Sequence, residues 1–194
     1  VYDMVVEVKN EDGTVSFALN TPTVPEGKTP IILSFAEANY YSDTDYGAYS
    51  DKMVLADDGS VQNEYVDEQG NTLVGAYDVV PVVDEFVEEH PDFSLRGAKG
   101  IISLTGYEGV FGYDLQTESD EIKAIADKLT EEGWLIASNG YSNAMLESEM
   151  DTNDLDEDLN NWKTQVASLV GDTDLMFYPF GESVSAGSYK QNQL

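Results

Sequence analysis

The chain has 194 residues, no cysteine, and 9 Lys+Arg against 38 Asp+Glu, a formal net charge of −29. With Arg96 as its one arginine, the chain cannot build the basic stripe that neutralises phosphates, so nucleic acid is excluded as a partner, and an anionic membrane surface would repel it. The missing thiols exclude disulfide scaffolds, Cys-type zinc sites and thiol catalysis, and a single histidine, His90, excludes a multi-His metal cage.

High charge does not mean disorder here. Leu, Ile, Val and Phe make up about a quarter of the chain, above the roughly 20% floor below which charged chains stay unfolded. The length suits one domain with a real core. No apolar run approaches the roughly 18 residues of a membrane span, so no insertion is expected in this segment. No signal peptide is visible, and Val1-Tyr2-Asp3-Met4 reads as the interior of a longer protein.

Residues 1–8 and 15–19 are valine-rich and flank Glu11-Asp12-Gly13, which predicts a β-hairpin. The stretch 21–30 holds three prolines and a glycine and reads as an extended connector, so 1–28 is taken as a hairpin with its linker and 29–194 as the main domain. Ile31-Ile32-Leu33-Ser34-Phe35 is a continuous apolar run, the mark of a strand buried on both faces. An irregular stretch rich in Tyr, Asp and Ser follows. Residues 52–74, with turns at Asp58-Gly59 and Gln69-Gly70-Asn71, predict a hairpin or small meander. Asp78 stands as an N-cap with Pro81 in the first turn of a helix that stops at His90-Pro91. His90 is read as a residue at a helix C-terminus, favoured there by the dipole.

Residues 98–105 predict a second buried strand, and Ile122, Ile125, Ala126 and Leu129 an amphipathic helix closed by Gly133. Trp134-Leu135-Ile136-Ala137 is a third buried strand. Leu155, Leu159, Trp162, Val166 and Leu169 form a helical stripe, with the acidic run 151–158 at its start. That run lacks the spacing of an EF-hand loop and is read as helix-dipole complementarity. Residues 174–178 predict a fourth strand. Strands alternating with helices predict a parallel sheet, open or closed into a barrel. Such folds place their sites at the C-terminal ends of strands. Four loops therefore frame the candidate site: 36–41, 106–109, 138–143 and 179–181.

At these loops the sequence resembles a polysaccharide deacetylase domain, the NodB-homology fold of carbohydrate esterase family 4. The first strand and Ala36-Glu37 resemble the family's Thr/Ser-Phe-Asp-Asp signature. Residues 133–143, with Ser138-Asn139 and Asn143, resemble its Ser-His-x-x-x-His signature. Phe177-Tyr178-Pro179-Phe180-Gly181 resembles its Arg-x-Pro-Tyr/Phe-Gly signature. The resemblance covers residues 29–181. It implies an α/β fold, a partial or distorted (β/α) barrel preceded by the hairpin. It also implies chemistry in which a divalent metal such as zinc, held by one Asp and two His, activates a water while a neighbouring Asp acts as base.

This chain departs from that pattern at each position. Ala36 stands at the general base and Phe177 at the arginine that orients it. Glu37, Asn139 and Asn143 stand at the three metal ligands. Alanine has no basic atom, and that role is worth about 10²–10⁴ in rate. An amide oxygen is a poor substitute for imidazole on zinc. The expectation is a deacetylase-like protein that has lost the metal and the ordinary activity, binds no cofactor, and keeps a carbohydrate groove. The groove residues are Tyr40, Tyr41, Tyr107, Glu108, Tyr178, Pro179, Phe180 and Gly181, and the partner is a carbohydrate. Two alternatives stand beside it. One is an active hydrolase that removes acetyl groups from a cell-wall or plant polysaccharide, with Glu37 and Glu108 in altered roles. The other is a structural or interaction module of a larger secreted protein. The expected setting is secreted or on a bacterial cell surface. The family continues past Pro-Phe-Gly with segments that residues 181–194 do not contain, so the domain is expected to be C-terminally incomplete.

Overall fold

In the computed structural model, residues 1–13, 15–41 and 50–182 are described. The Tyr/Asp/Ser-rich stretch after Tyr41 and the C-terminal segment after Glu182 lie outside the described residues. Three separate sheets are present among the described residues. β1 (Val5–Lys9) and β2 (Val15–Leu19) form the antiparallel hairpin, with Val5 opposite Leu19. The chain before it is held on the main body, where Tyr2 N–H donates to the Ile31 carbonyl and Leu95 N–H to that of Val1. β4 (Lys52–Leu55), β5 (Val61–Val66) and β6 (Thr72–Gly75) form the expected meander.

The central sheet is parallel, in the order β3 (Ser34–Phe35), β7 (Gly100–Leu104), β8 (Trp134–Ser138). All five residues of β7 are buried, as a strand covered on both faces requires. The continuous apolar run at 31–35 behaves differently. Only Ser34 and Phe35 pair with β7, and Ile31 and Ile32 remain 39% and 38% exposed. The expected fourth strand is reduced to one parallel bridge, Ser138 to Met176, with Ser138 N–H on the Leu175 carbonyl and Phe177 N–H on that of Ser138.

These facts correct the expected (β/α) barrel. Closing a parallel barrel takes about eight strands of matched length. Here β3 is two residues long, and the segment between β3 and β7 is spent on a separate antiparallel sheet. The architecture is mixed α/β with small separate sheets and no closed barrel among the described residues.

The helix ends follow the sequence signals closely. α1 (Val79–Glu89) starts at Asp78, whose carboxylate accepts from Val79 N–H, and ends at His90. Its burial differs from the apolar spacing Val79, Val82, Val83 and Phe86: Val82 and Phe86 are exposed, and Val80, Pro81 and Val87 are buried. α2 (Ser119–Glu131) buries Ile122, Ile125, Ala126 and Leu129, and Gly133 follows it at φ 96°. α3 (Thr152–Asn161) opens with a reciprocal capping box between Asp151 and Asp154. It then widens into a π-helical turn, Trp162–Val166, before α4 (Ala167–Val170). One core joins these layers. Ile102 and Leu104 of β7 and Trp134 of β8 pack with the α2 stripe, with Met53 and Val61 of the meander, and with Trp162 and Val166. Among the described residues no helix is long and apolar enough to cross a membrane.

One ion pair locks α1 to this core. Asp84 Oδ1 accepts from Lys99 Nζ at 2.6 Å and from Trp134 Nε1 at 3.0 Å. Both charged side chains are largely covered, at 18% and 12% exposed. Removing one partner of a covered pair strands the other, at about 3 kcal/mol. Asp84→Ala is therefore expected to lose about 3 kcal/mol of stability in urea unfolding, and Asp84→Asn, which keeps an acceptor for the indole, to lose less.

Candidate functional site

The parallel register of β3, β7 and β8 brings their C-terminal ends to one edge, and the loops that leave them are fastened to one another. Behind β3, Glu37 N–H donates to Ser103 Oγ and Ala38 N–H to the Ser103 carbonyl. Asn39 is fully buried and works as a clamp. Its Oδ1 accepts from Thr105 N–H at 3.0 Å, and its Nδ2 donates to the carbonyls of Thr105 and Gly109 at 2.9 and 2.6 Å. The loop that carries Tyr107 and Glu108 thus hangs from an amide two residues past Glu37.

The loop after β8 is held from the other side. Asp158 is buried in α3 and accepts from Tyr141 N–H, Ser142 N–H and Ser142 Oγ at 2.8, 2.8 and 2.5 Å. Four residues on, the Trp162 indole donates to the Leu104 carbonyl at 2.9 Å, and Gln165 accepts from the Tyr141 hydroxyl at 3.0 Å. Gly106 lies so close to the Tyr141 ring that a Cβ there would collide with it. Several site residues hold left-handed backbone without being glycine: Glu37, Tyr40, Glu108, Asn143 and Phe180, with φ between 52° and 61°. Such conformations cost about 1–3 kcal/mol each and persist where surrounding contacts dictate them.

The sequence-derived site residues fall as follows. Glu37 and Asn139 meet: the buried Asn139 donates from Nδ2 to Glu37 Oε1 at 3.4 Å. Ala36 is exposed and lines a cleft of about 270 Å³ together with Glu37, Tyr40, Met53, Asp78 and Val80. Asn143 sits four residues past Asn139, and its buried Oδ1 accepts no hydrogen bond among the described residues. No helix begins there in which either asparagine could serve as a cap; the next, α3, starts at Thr152. Phe177 is half-buried beside β8.

The tyrosines divide into two groups. Tyr40 turns its hydroxyl inward, where Asn63 Nδ2 donates to it at 3.0 Å. Burial, with the Asp78 carboxylate beside it, pushes that phenol well above its ordinary value. Tyr41 packs edge-on against Tyr107, with ring centroids 5.6 Å apart, and its hydroxyl bonds Thr105 Oγ1 at 2.8 Å. Burial pushes Tyr41 up too; the Thr105 hydrogen bond opposes this, and the Glu37 and Glu108 carboxylates add to it. Both phenols stay protonated at neutral pH. Tyr107, Tyr178 and Phe180 are the open aromatics, at 45%, 47% and 61% exposed, while Pro179 is buried against the Gly140 turn. Gly181 closes a short 3₁₀ turn, Pro179–Gly181, at φ 73°.

A catalytic zinc does not fit this donor set. The position expected to supply an imidazole supplies an amide whose N–H faces the one carboxylate, which is the polarity a cation repels. Among the described residues no group of three His, Asp or Glu side chains could hold a metal ion. Compared with family models, with curated proteins and with solved structures, the chain matches none. The likeness to polysaccharide deacetylases therefore rests on the strand-end residues alone.

Sequence reasoning passed over Asn39 and Asp158. Asp158 looked like one more charge in an acidic run, and the only signal in its favour was its place three residues after Leu155 and four before Trp162, on the buried stripe. Removing it orphans three donors, at about 1 kcal/mol or more each. Asp158→Ala is expected to cost about 3 kcal/mol and to raise amide hydrogen exchange at Tyr141 and Ser142 while leaving β7 protected. Asn39→Ala is expected to do the same at Thr105 and its neighbours.

Proposed function

We propose that this protein binds carbohydrate along the C-terminal edge of its central parallel sheet, and that it does so without metal-dependent deacetylation. The observation that carries the reading is the Glu37 carboxylate, braced by the buried Asn139 amide, at a strand edge whose loops also carry the open rings of Tyr107, Tyr178 and Phe180. Sugar recognition asks for two things at once. Ring faces pack the apolar C–H surface of a pyranose, and fixed carboxylates and amides take up its hydroxyls. Tyr107 supplies a ring fixed from behind by Tyr41. Tyr178 and Phe180 follow Phe177, whose N–H is tied to Ser138 next to Asn139. Glu37 and Asn139 are held by backbone bonds to β7 before any ligand arrives, so little ordering is left for binding to cost.

The same residues argue against hydrolysis of the acetyl-transfer kind. Ala36 offers no base, Phe177 no orienting charge, and the Tyr41 phenol holds its proton. We place the protein outside the cell, where such polysaccharides are met and where a surface of net charge −29 keeps a protein soluble.

Titration calorimetry with chito- and xylo-oligosaccharides tests the reading. Binding is expected, and Tyr107→Ala and Tyr178→Ala are each expected to weaken it about tenfold without shifting the urea midpoint. Release of acetate from acetylated oligosaccharides by protein supplied with zinc would overturn the non-hydrolytic part. Silence toward both series would overturn the glycan part.

A further inference from the structure

Thr105 is the first residue past β7, it is fully buried, and each of its polar groups has a partner. Its N–H donates to Asn39 Oδ1 at 3.0 Å and its carbonyl accepts from Asn39 Nδ2 at 2.9 Å, so its backbone is set by the loop after β3. Its Oγ1 accepts from Tyr107 N–H at 3.2 Å and bonds the Tyr41 hydroxyl at 2.8 Å. The rings of those two tyrosines lie 5.6 Å apart and are inclined at 68°. One hydroxyl thus holds both the backbone root of Tyr107 and the far end of the ring packed against it.

From this we infer that Thr105 is a positioning residue for glycan binding: its hydroxyl sets the Tyr41–Tyr107 pair, and through it the open Tyr107 ring, before a sugar arrives. The inference rests on the carbohydrate reading above and adds to it a residue that the sugar never touches. Thr105 is 0% exposed and has no surface to offer a ligand, whereas Tyr107 is 45% exposed. A tyrosine on a surface loop samples several rotamers, and seating a sugar on its ring selects one, at a cost of roughly two- to tenfold in affinity. A ring whose root and neighbour are both tied to Thr105 has met that cost on folding. The residue type suits the task. Threonine is stiff at χ1, so the direction of Oγ1 follows from the backbone that Asn39 fixes.

The test is titration calorimetry on the full chain with the chito- and xylo-oligosaccharides, read as a double-mutant cycle. Thr105→Val keeps the shape and deletes the hydroxyl, and is expected to weaken binding about fivefold; Thr105→Ser, which keeps an Oγ, is expected to stay within about twofold of the unaltered chain. In a Tyr107→Ala background Thr105→Val is expected to weaken binding no further, and in a Tyr178→Ala background the fivefold loss is expected in full. Tyr41→Phe is the milder form of the test, since it leaves Thr105 bonded to Tyr107 and serves even where Thr105→Val does not fold. It is expected to weaken binding about threefold, again only while Tyr107 is present. Equal losses in the Tyr107→Ala and Tyr178→Ala backgrounds would mark a general loosening of the edge and overturn the inference. So would Thr105→Val or Tyr41→Phe binding like the unaltered chain, or Thr105→Ser binding no better than Thr105→Val. Each of these outcomes leaves the glycan reading standing. Failure of both oligosaccharide series to bind the unaltered chain overturns the glycan reading and this inference with it.

Discussion

The carbonyl of Leu104 accepts two hydrogen bonds, from Asn139 N–H and from the Trp162 indole, each at 2.9 Å. At this oxygen the last residue of the buried strand, the loop after the neighbouring strand and the helix behind them all meet. A backbone carbonyl has two lone pairs, and a strand end normally leaves one of them to water. Here neither is left. The arrangement fixes how far β8 runs past β7, and so where Asn139 stands against Glu37. It also fixes the helix, because an indole that must reach this oxygen sets the rotation of α3 and the π turn. Asp158 and Gln165, on the same face, then meet Tyr141 and Ser142.

The π turn fits this requirement. A π turn adds one residue to the helical repeat and shifts the following residues around the axis. Leu155, Asp158, Trp162 and Val166 are buried in succession, and Val170 completes the row. The bulge begins at Trp162, the residue whose indole reaches Leu104. Packing of one large side chain and continuity of the apolar row are thereby both met.

The parts of the fold that were legible in the sequence are those governed by local rules. Asp78 caps α1 because a carboxylate there reaches an orphan amide, and Ile122, Ile125, Ala126 and Leu129 face the core because their spacing matches the helix. The two turns of the meander were equally plain. Non-local requirements were not legible. Ile31-Ile32 reads as buried strand by composition, but burial needs a neighbour on each face, and β3 is paired over two residues only. The barrel failed for the same reason, since strand count and length are properties of the whole sheet. At the site, Glu37 and Asn139 were legible as strand-end polar residues; their meeting, across 102 positions, was not. Asp158 was hidden by its neighbours, because nothing in an acidic run tells the buried carboxylate from the solvated ones.

The left-handed residues of the site have a bearing on how this protein would respond to selection. Five of the seven non-glycine residues with positive φ among the described residues, Glu37, Tyr40, Glu108, Asn143 and Phe180, sit in the strand-end loops. Glycine relaxes such a backbone, whereas elsewhere it loosens a fold. A library screened for heat resistance alone would therefore enrich glycine at the exposed ones, Glu108 and Phe180, and would strip side chains from these loops while the core improved. Retention of Glu108 and Phe180 under such pressure is a measure of use that thermal stability cannot supply.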